Sequence, residues 1–171
     1  MPALQPCALP DDALLLKYAQ GGGYTDCWTT DIARTASQAE YIEAFYTGFA
    51  FRLERALLAW LVSRPSSDAQ VRELAAGRRE RFAAWSVEAR APRQLLLADF
   101  QGRTRSWLMS APAADGAATR LYFGSAVVAR IDRRTGKPRM GLAFAALLGF
   151  HRLYSRVLLR AAAARLMRPA A

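Results

Sequence analysis

The C-terminal stretch constrains this chain most. From Gly141 to Arg168 it reads as one long helix: Ala143, Leu147, Phe150, Tyr154, Val157 and Ala161 recur at alternating steps of three and four and so line one face. Arg152, Arg156 and Arg160 recur at steps of four and form a basic stripe on its flank. A Gly-Lys-Pro turn precedes the helix and Pro169 follows it, so both ends are punctuated. Such a helix has a broad apolar face to bury, and the rest of the chain is expected to wrap around it.

The period of the remaining sequence supports that. Residues 1–10 carry three prolines and read as an irregular leader. Asp11–Gln20 suits one or two turns of helix capped by an Asp, broken by Gly21-Gly22-Gly23. Tyr24–Ile32 is rich in aromatic and β-branched residues and reads as a strand near a sheet edge, with Tyr24, Asp26, Trp28 and Thr30 on one face. Ser37 with Glu40 forms a capping-box pattern opening a helix to about Val62, and Ser67-Asp68 caps a short helix ending at Gly77. From Phe82 the period changes to two. Phe82–Arg90 sets Trp85, Val87 and Ala89 against Ser86, Glu88 and Arg90. Gln94–Phe100, Arg103–Ala111 and Thr119–Ile131 come next, the last with Leu121, Phe123, Ser125, Val127 and Ala129 on one side. Short turns between them argue an antiparallel meander. The order strand, helix, helix, strands, helix predicts an α+β fold, expected as a single domain over 1–171.

That order resembles the helix-grip domains of the START, polyketide-cyclase and plant pathogenesis-related superfamily. More specifically, the chain resembles a bacterial domain-of-unknown-function family within it. The resemblance is carried by Leu14-Leu15-Leu16 followed by Tyr24-Thr-Asp-Cys-Trp28, by Glu40–Leu61, and by Leu121–Ile131 leading into Gly149-Phe-His-Arg-Leu-Tyr154. Gly149 stands where that family carries proline, and Thr104-Arg-Ser-Trp-Leu108 departs from its usual His-Leu-Asp-Phe strand. The resemblance implies a curved antiparallel sheet wrapped around the C-terminal helix, with a cavity for an apolar ligand between them. It supplies a fold and no reaction.

Composition excludes several classes. No apolar run reaches the roughly 18 residues of a membrane span; Ala44–Val62 is broken by Arg52, Glu54 and Arg55. The N-terminus has no basic region of a signal peptide, which makes a cytoplasmic location the expectation. The net charge is +10, carried by the second part: residues 1–54 hold seven acids and three bases, and residues 55–171 seven acids and twenty-one bases. Cys7 and Cys27 are too few for a disulfide framework and lack metal spacing, so they read as two reduced thiols. With one histidine and no Gly-x-Ser-x-Gly, no hydrolytic triad is legible. No nucleotide fingerprint occurs, so no cofactor is expected.

The pocket candidates are therefore few. His151 and Tyr154 could present polar groups to a ligand, with Leu147 and Phe150 beside them on the helix and Trp60, Trp85, Trp107 and Phe123 as bulky walls. For the aromatics the competing reading is plain core packing. Three functions are open, in this order: a binder of a small apolar or amphipathic molecule, a basic module docking nucleic acid, anionic lipid or an acidic protein, and a cyclase- or dehydratase-like enzyme using His151 or Tyr154. Nucleic acid ranks low as a partner, because the aromatics recur as core residues rather than as exposed stacking platforms.

Overall fold

The structure, a computed structural model, describes residues 3–48, 51, 66–113, 116–128, 130–131, 138–139 and 142–168, and of 130–131, 138–139 and 142–152 the backbone alone. Trp60, Ala129, the expected helix beyond Gly48 except Phe51, and most of the turn before the last helix lie outside the described residues. The elements are β1 (Gln5–Pro6), α1 (Leu16–Gln20), β2 (Tyr24–Ile32), α2 (Gln38–Tyr46), α3 (Asp68–Ala75), β3 (Arg81–Phe82), β4 (Trp85–Ala91), β5 (Gln94–Asp99), β6 (Thr104–Pro112), β7 (Thr119–Val127), β8 (Arg130–Ile131), β9 (Pro138–Arg139) and α4 (Leu142–Leu166). Strands β1 to β7 form one antiparallel sheet in the order β1-β2-β7-β6-β5-β4-β3; β8 and β9 pair separately. The α+β class is as expected, and α4 lies across β2 and β7 in the helix-grip arrangement, flanked by α2.

Local chemistry explains the helix starts. Ser37 and Ser67 each accept from the backbone N–H three residues on, and Glu40 and Gln70 reach back to the cap N–H, so both capping boxes are complete. Gly77, at φ +74°, ends α3 in the left-handed region. Helix α1 differs from expectation: it starts at Leu16 without a side-chain cap, because the carbonyl and carboxylate of Asp12 are engaged by Gln94 instead. The leader is not wholly irregular either, since Gln5 and Pro6 pair with Thr29 and Trp28.

Each face of the sheet carries its own core. On the helix side, Ile32, Leu95, Leu97, Leu108, Leu121 and Phe123 meet Tyr41, Phe45, Tyr46, Phe82 and the buried side of α4. Edge-on and tilted aromatic pairs pack at the middle of this core, Phe45 lying 4.9 Å from Phe123 and 5.1 Å from Tyr46 between ring centres. On the outer side, residues 3–20 form a strap over Cys27, Leu96, Trp107, Met109 and Ala126, with Leu15 wholly buried among them. The uninterrupted run Leu95-Leu96-Leu97 reflects this double burial, as neither face of β5 is left to solvent.

Two alternations depart from the sequence expectation. The first is in β4, where the register shifts between Val87 and Ala89. A bulge places one extra residue in the strand and reverses the face of every residue beyond it. Trp85 and Val87 therefore stay on the helix side, while Ala89 packs into the outer core, opposite to the side predicted for it. The second is in α4. Val157 was expected inward and is 46% exposed, whereas Ser155 is 0% exposed and Leu158, Leu159, Ala162, Ala163 and Leu166 form the buried side. Apolar residues lie on both sides of the arginine stripe over this stretch, so their spacing alone does not select the buried face.

The β4 bulge also aims Glu88 at the strap. Its carboxylate pairs with Lys17 Nζ at 2.6 Å, accepts from Tyr18 Oη at 2.5 Å and pairs with Arg105, whose guanidinium lies 4.8 Å from the Tyr18 ring centre. Burial acts to raise the Glu88 carboxyl, but the hydrogen bonds from Lys17 and Tyr18 and the Arg105 charge outweigh it and hold the group below its ordinary value. A depressed carboxyl contributes stability that is complete above its unfolded value, about 4.3, and is lost as pH falls through the folded value. Glu88→Gln is thus expected to lower stability at pH 7 by about 1–2 kcal/mol and to flatten the decline between neutral pH and pH 3, measured by urea unfolding at a series of pH values. An unchanged acid limb would show that the cluster does not hold the strap.

Candidate functional site

The polar groups on the helix side of the sheet are not scattered. Cross-strand register aligns Asp26 with Ser125, Ser125 with Ser106, Ser106 with Leu97 and Leu97 with Val87, a single row across five strands. Ser125 Oγ donates to Asp26 Oδ1, and Ser155 Oγ, from α4, stands 3.5 Å from Asp26 Oδ2. At the middle of the row Ser106 Oγ shares a hydrogen bond of 3.2 Å with Tyr46 Oη. Ser106, Ser125 and Ser155 are all buried, so the β2–β7–β6 end of the row is a polar band set into an apolar core.

Two tryptophans bracket this band. Trp28 lies one row toward the apolar core, opposite Phe123, and Trp85 lies one row the other way, opposite Asp99. Both indole Nε1 atoms are buried without a hydrogen-bond partner. A buried donor left unmade costs about 1–3 kcal/mol, and native folds rarely leave one so without a reason such as a ligand or water. The Arg156 guanidinium covers the Trp28 ring at 5.3 Å from its centre, so one member of the basic stripe is not purely a solvated flank.

Asp26, at the end of the band, borders a groove at the sheet edge. Strand β1 covers only two residues of β2, and beside it opens a groove of about 740 Å³. Its lining includes Tyr24, Asp26 and Trp28 from the helix side, with Cys7 and Cys27 from the strap side.

The sequence candidates divide by position. Phe123 is buried on the helix side, and Trp85 and Tyr154 pack half-buried against the same core. Trp107 was expected as a cavity wall beside α4 and is on the opposite face: β6 alternates Ser106 and Leu108 inward with Trp107 and Met109 outward. There its Nε1 donates to Gln94 Oε1 at 2.9 Å, under the strap. His151, Phe150 and Leu147 lie in α4, with His151 one turn before Ser155, and their side chains are outside the described residues, as is all of Trp60. Asp26, Ser125 and Ser155 were missed as a group. Period-two spacing did place Asp26 and Ser125 each on the face where they are found, but the register that aligns them is not visible in sequence. Among the described residues no group of three or more His, Cys, Asp or Glu could hold a metal ion, and no helix is long and apolar enough to cross a membrane.

No family model matches the chain, and no curated protein matches it in sequence. Among solved structures it is similar to CalU16 from Micromonospora echinospora, at 13% identity over 96% of this chain and 92% of that one, with a TM-score of 0.34.

Proposed function

We propose that this protein binds a small amphipathic molecule on the helix side of its sheet, admitted through the groove beside β2. The observation that carries this reading is the buried, unpartnered Nε1 of Trp28, next to the Asp26–Ser125–Ser155 band and in a residue that lines the groove. The ligand's polar end would supply an acceptor to the indole and meet the hydroxyl-bearing band, and its apolar part would lie against Phe123 and Tyr154. His151, Phe150 and Leu147 belong to the same proposal as further contacts from α4. Mostly apolar walls with a few placed polar groups are the ordinary composition of small-molecule sites.

Native mass spectrometry of protein purified from cells should show a small molecule retained at one per chain, displaced by the amphipathic dye anilinonaphthalene sulfonate. Trp28→Phe keeps an aromatic ring and removes the donor. It should weaken retention about 5- to 30-fold, the equivalent of a hydrogen bond of about 1–2 kcal/mol, with little loss of stability. A bare chain that also gives no saturable dye binding would sink the reading.

A further inference from the structure

The groove beside β2 holds a second feature, independent of the ligand reading. Cys7 continues the β1–β2 pairing by one residue: its N–H donates to the Cys27 carbonyl at 3.0 Å, which sets the two cysteines opposite each other on neighbouring segments. The Cys27 Sγ and Cys7 Sγ atoms are 2.9 Å apart. Directly opposed residues of an antiparallel pair have Cβ atoms about 4.5–5.5 Å apart, close to the separation of about 3.5–4.5 Å that a disulfide uses. Both cysteines line the groove, Cys7 half-buried and Cys27 buried. Cys7 is thus the sulfur a reagent in the groove meets first, with Cys27 beside it. The bond between the two thiols and its burial push the Cys27 thiol up. A more exposed thiol beside a buried one is the arrangement of an attacking and a resolving cysteine.

We propose that Cys7 and Cys27 are a redox-active pair, oxidised by a small hydroperoxide to an intrachain disulfide that fastens the N-terminal strap to the edge of the sheet. The Cys7 thiolate attacks one peroxide oxygen and the O–O bond breaks, leaving Cys7 as a sulfenic acid and releasing an alcohol, or water from hydrogen peroxide. Cys27 then gives up its proton to solvent, and its sulfur attacks that of Cys7. The S–S bond forms as the S–O bond breaks, and the hydroxide leaves as water. Two thiols are oxidised by two electrons and one hydroperoxide is reduced.

The test treats the full reduced chain with one equivalent of hydrogen peroxide, followed by iodoacetamide and mass spectrometry. The chain should lose two hydrogens, and trypsin, which cuts at Lys17 between the cysteines, should yield two peptides joined through Cys7 and Cys27. Dithiothreitol should reverse the change, and oxidation should run about tenfold or more faster than in the same chain held in urea, where the thiols no longer meet. In Cys27→Ser, Cys7 should stop at the sulfenic acid and be trapped by dimedone. Two alkylated thiols after peroxide would overturn the proposal. So would Cys7 passing to sulfinic acid with no joined peptide, or a folded chain oxidised no faster than the unfolded one.

Discussion

Trp107→Ala is expected to destabilise the protein by about 3–5 kcal/mol, the range for emptying a buried aromatic site. The side chain is 0% exposed in the outer core. Its Nε1 donates to Gln94 Oε1, which also accepts the Leu14 N–H at 2.9 Å, and Gln94 Nε2 donates to the Asp12 carbonyl at 3.0 Å. The indole and Gln94 therefore clamp the strap as one unit. Opposite Trp107 on β7 stands Gly124, where an added Cβ would come within 2.8 Å of the indole Cε3, 2.9 Å of Leu15 Cδ2 and 3.1 Å of the Asp26 carbonyl oxygen. Gly124→Ala should cost about 1–3 kcal/mol by overpacking, and less in the Trp107→Ala background, where the ring no longer crowds it. Urea midpoints of the two single variants and the double one measure that coupling.

Leu159→Asp is expected to prevent folding, a loss above about 4 kcal/mol, because a carboxylate placed at a wholly buried position has neither water nor a partner. Val157→Asp and Leu153→Asp, at positions 46% and 58% exposed, should stay within about 1 kcal/mol of the parent chain. The contrast tests which side of α4 faces the sheet. The helix-side contacts hold it there: Ser155 at Asp26, and at the far end the Arg34 guanidinium donating to the Leu166 carbonyl at 3.0 Å. Circular dichroism and soluble yield suffice as readouts. A folded Leu159→Asp beside an unfolded Val157→Asp would rotate the helix back to the face that its spacing first suggested.

Much of the scaffold was legible because its signals are local. The capping boxes at Ser37 and Ser67 involve residues three apart, and the aromatic and β-branched content of Tyr24–Ile32 is a property of nine neighbours. The candidate site was legible only in fragments. Asp26, Ser125 and Ser155 are separated by 99 and 129 residues along their hydrogen-bonded pairs, and nothing in their spacing announces that they meet. Cys7 and Cys27 looked like two separate thiols for the same reason.

What the sequence determined by itself was the inventory and order of elements, since hydrophobic period, caps and turns act within a few residues. The tertiary structure decided the rest: which side of α4 is buried, that a bulge sends Ala89 and Val87 to opposite faces, and that Trp107 belongs to the strap's core. Each depends on register or on a surface from a distant segment. A shift of one residue in a strand, or a modest rotation of a helix, exchanges faces without changing any local preference.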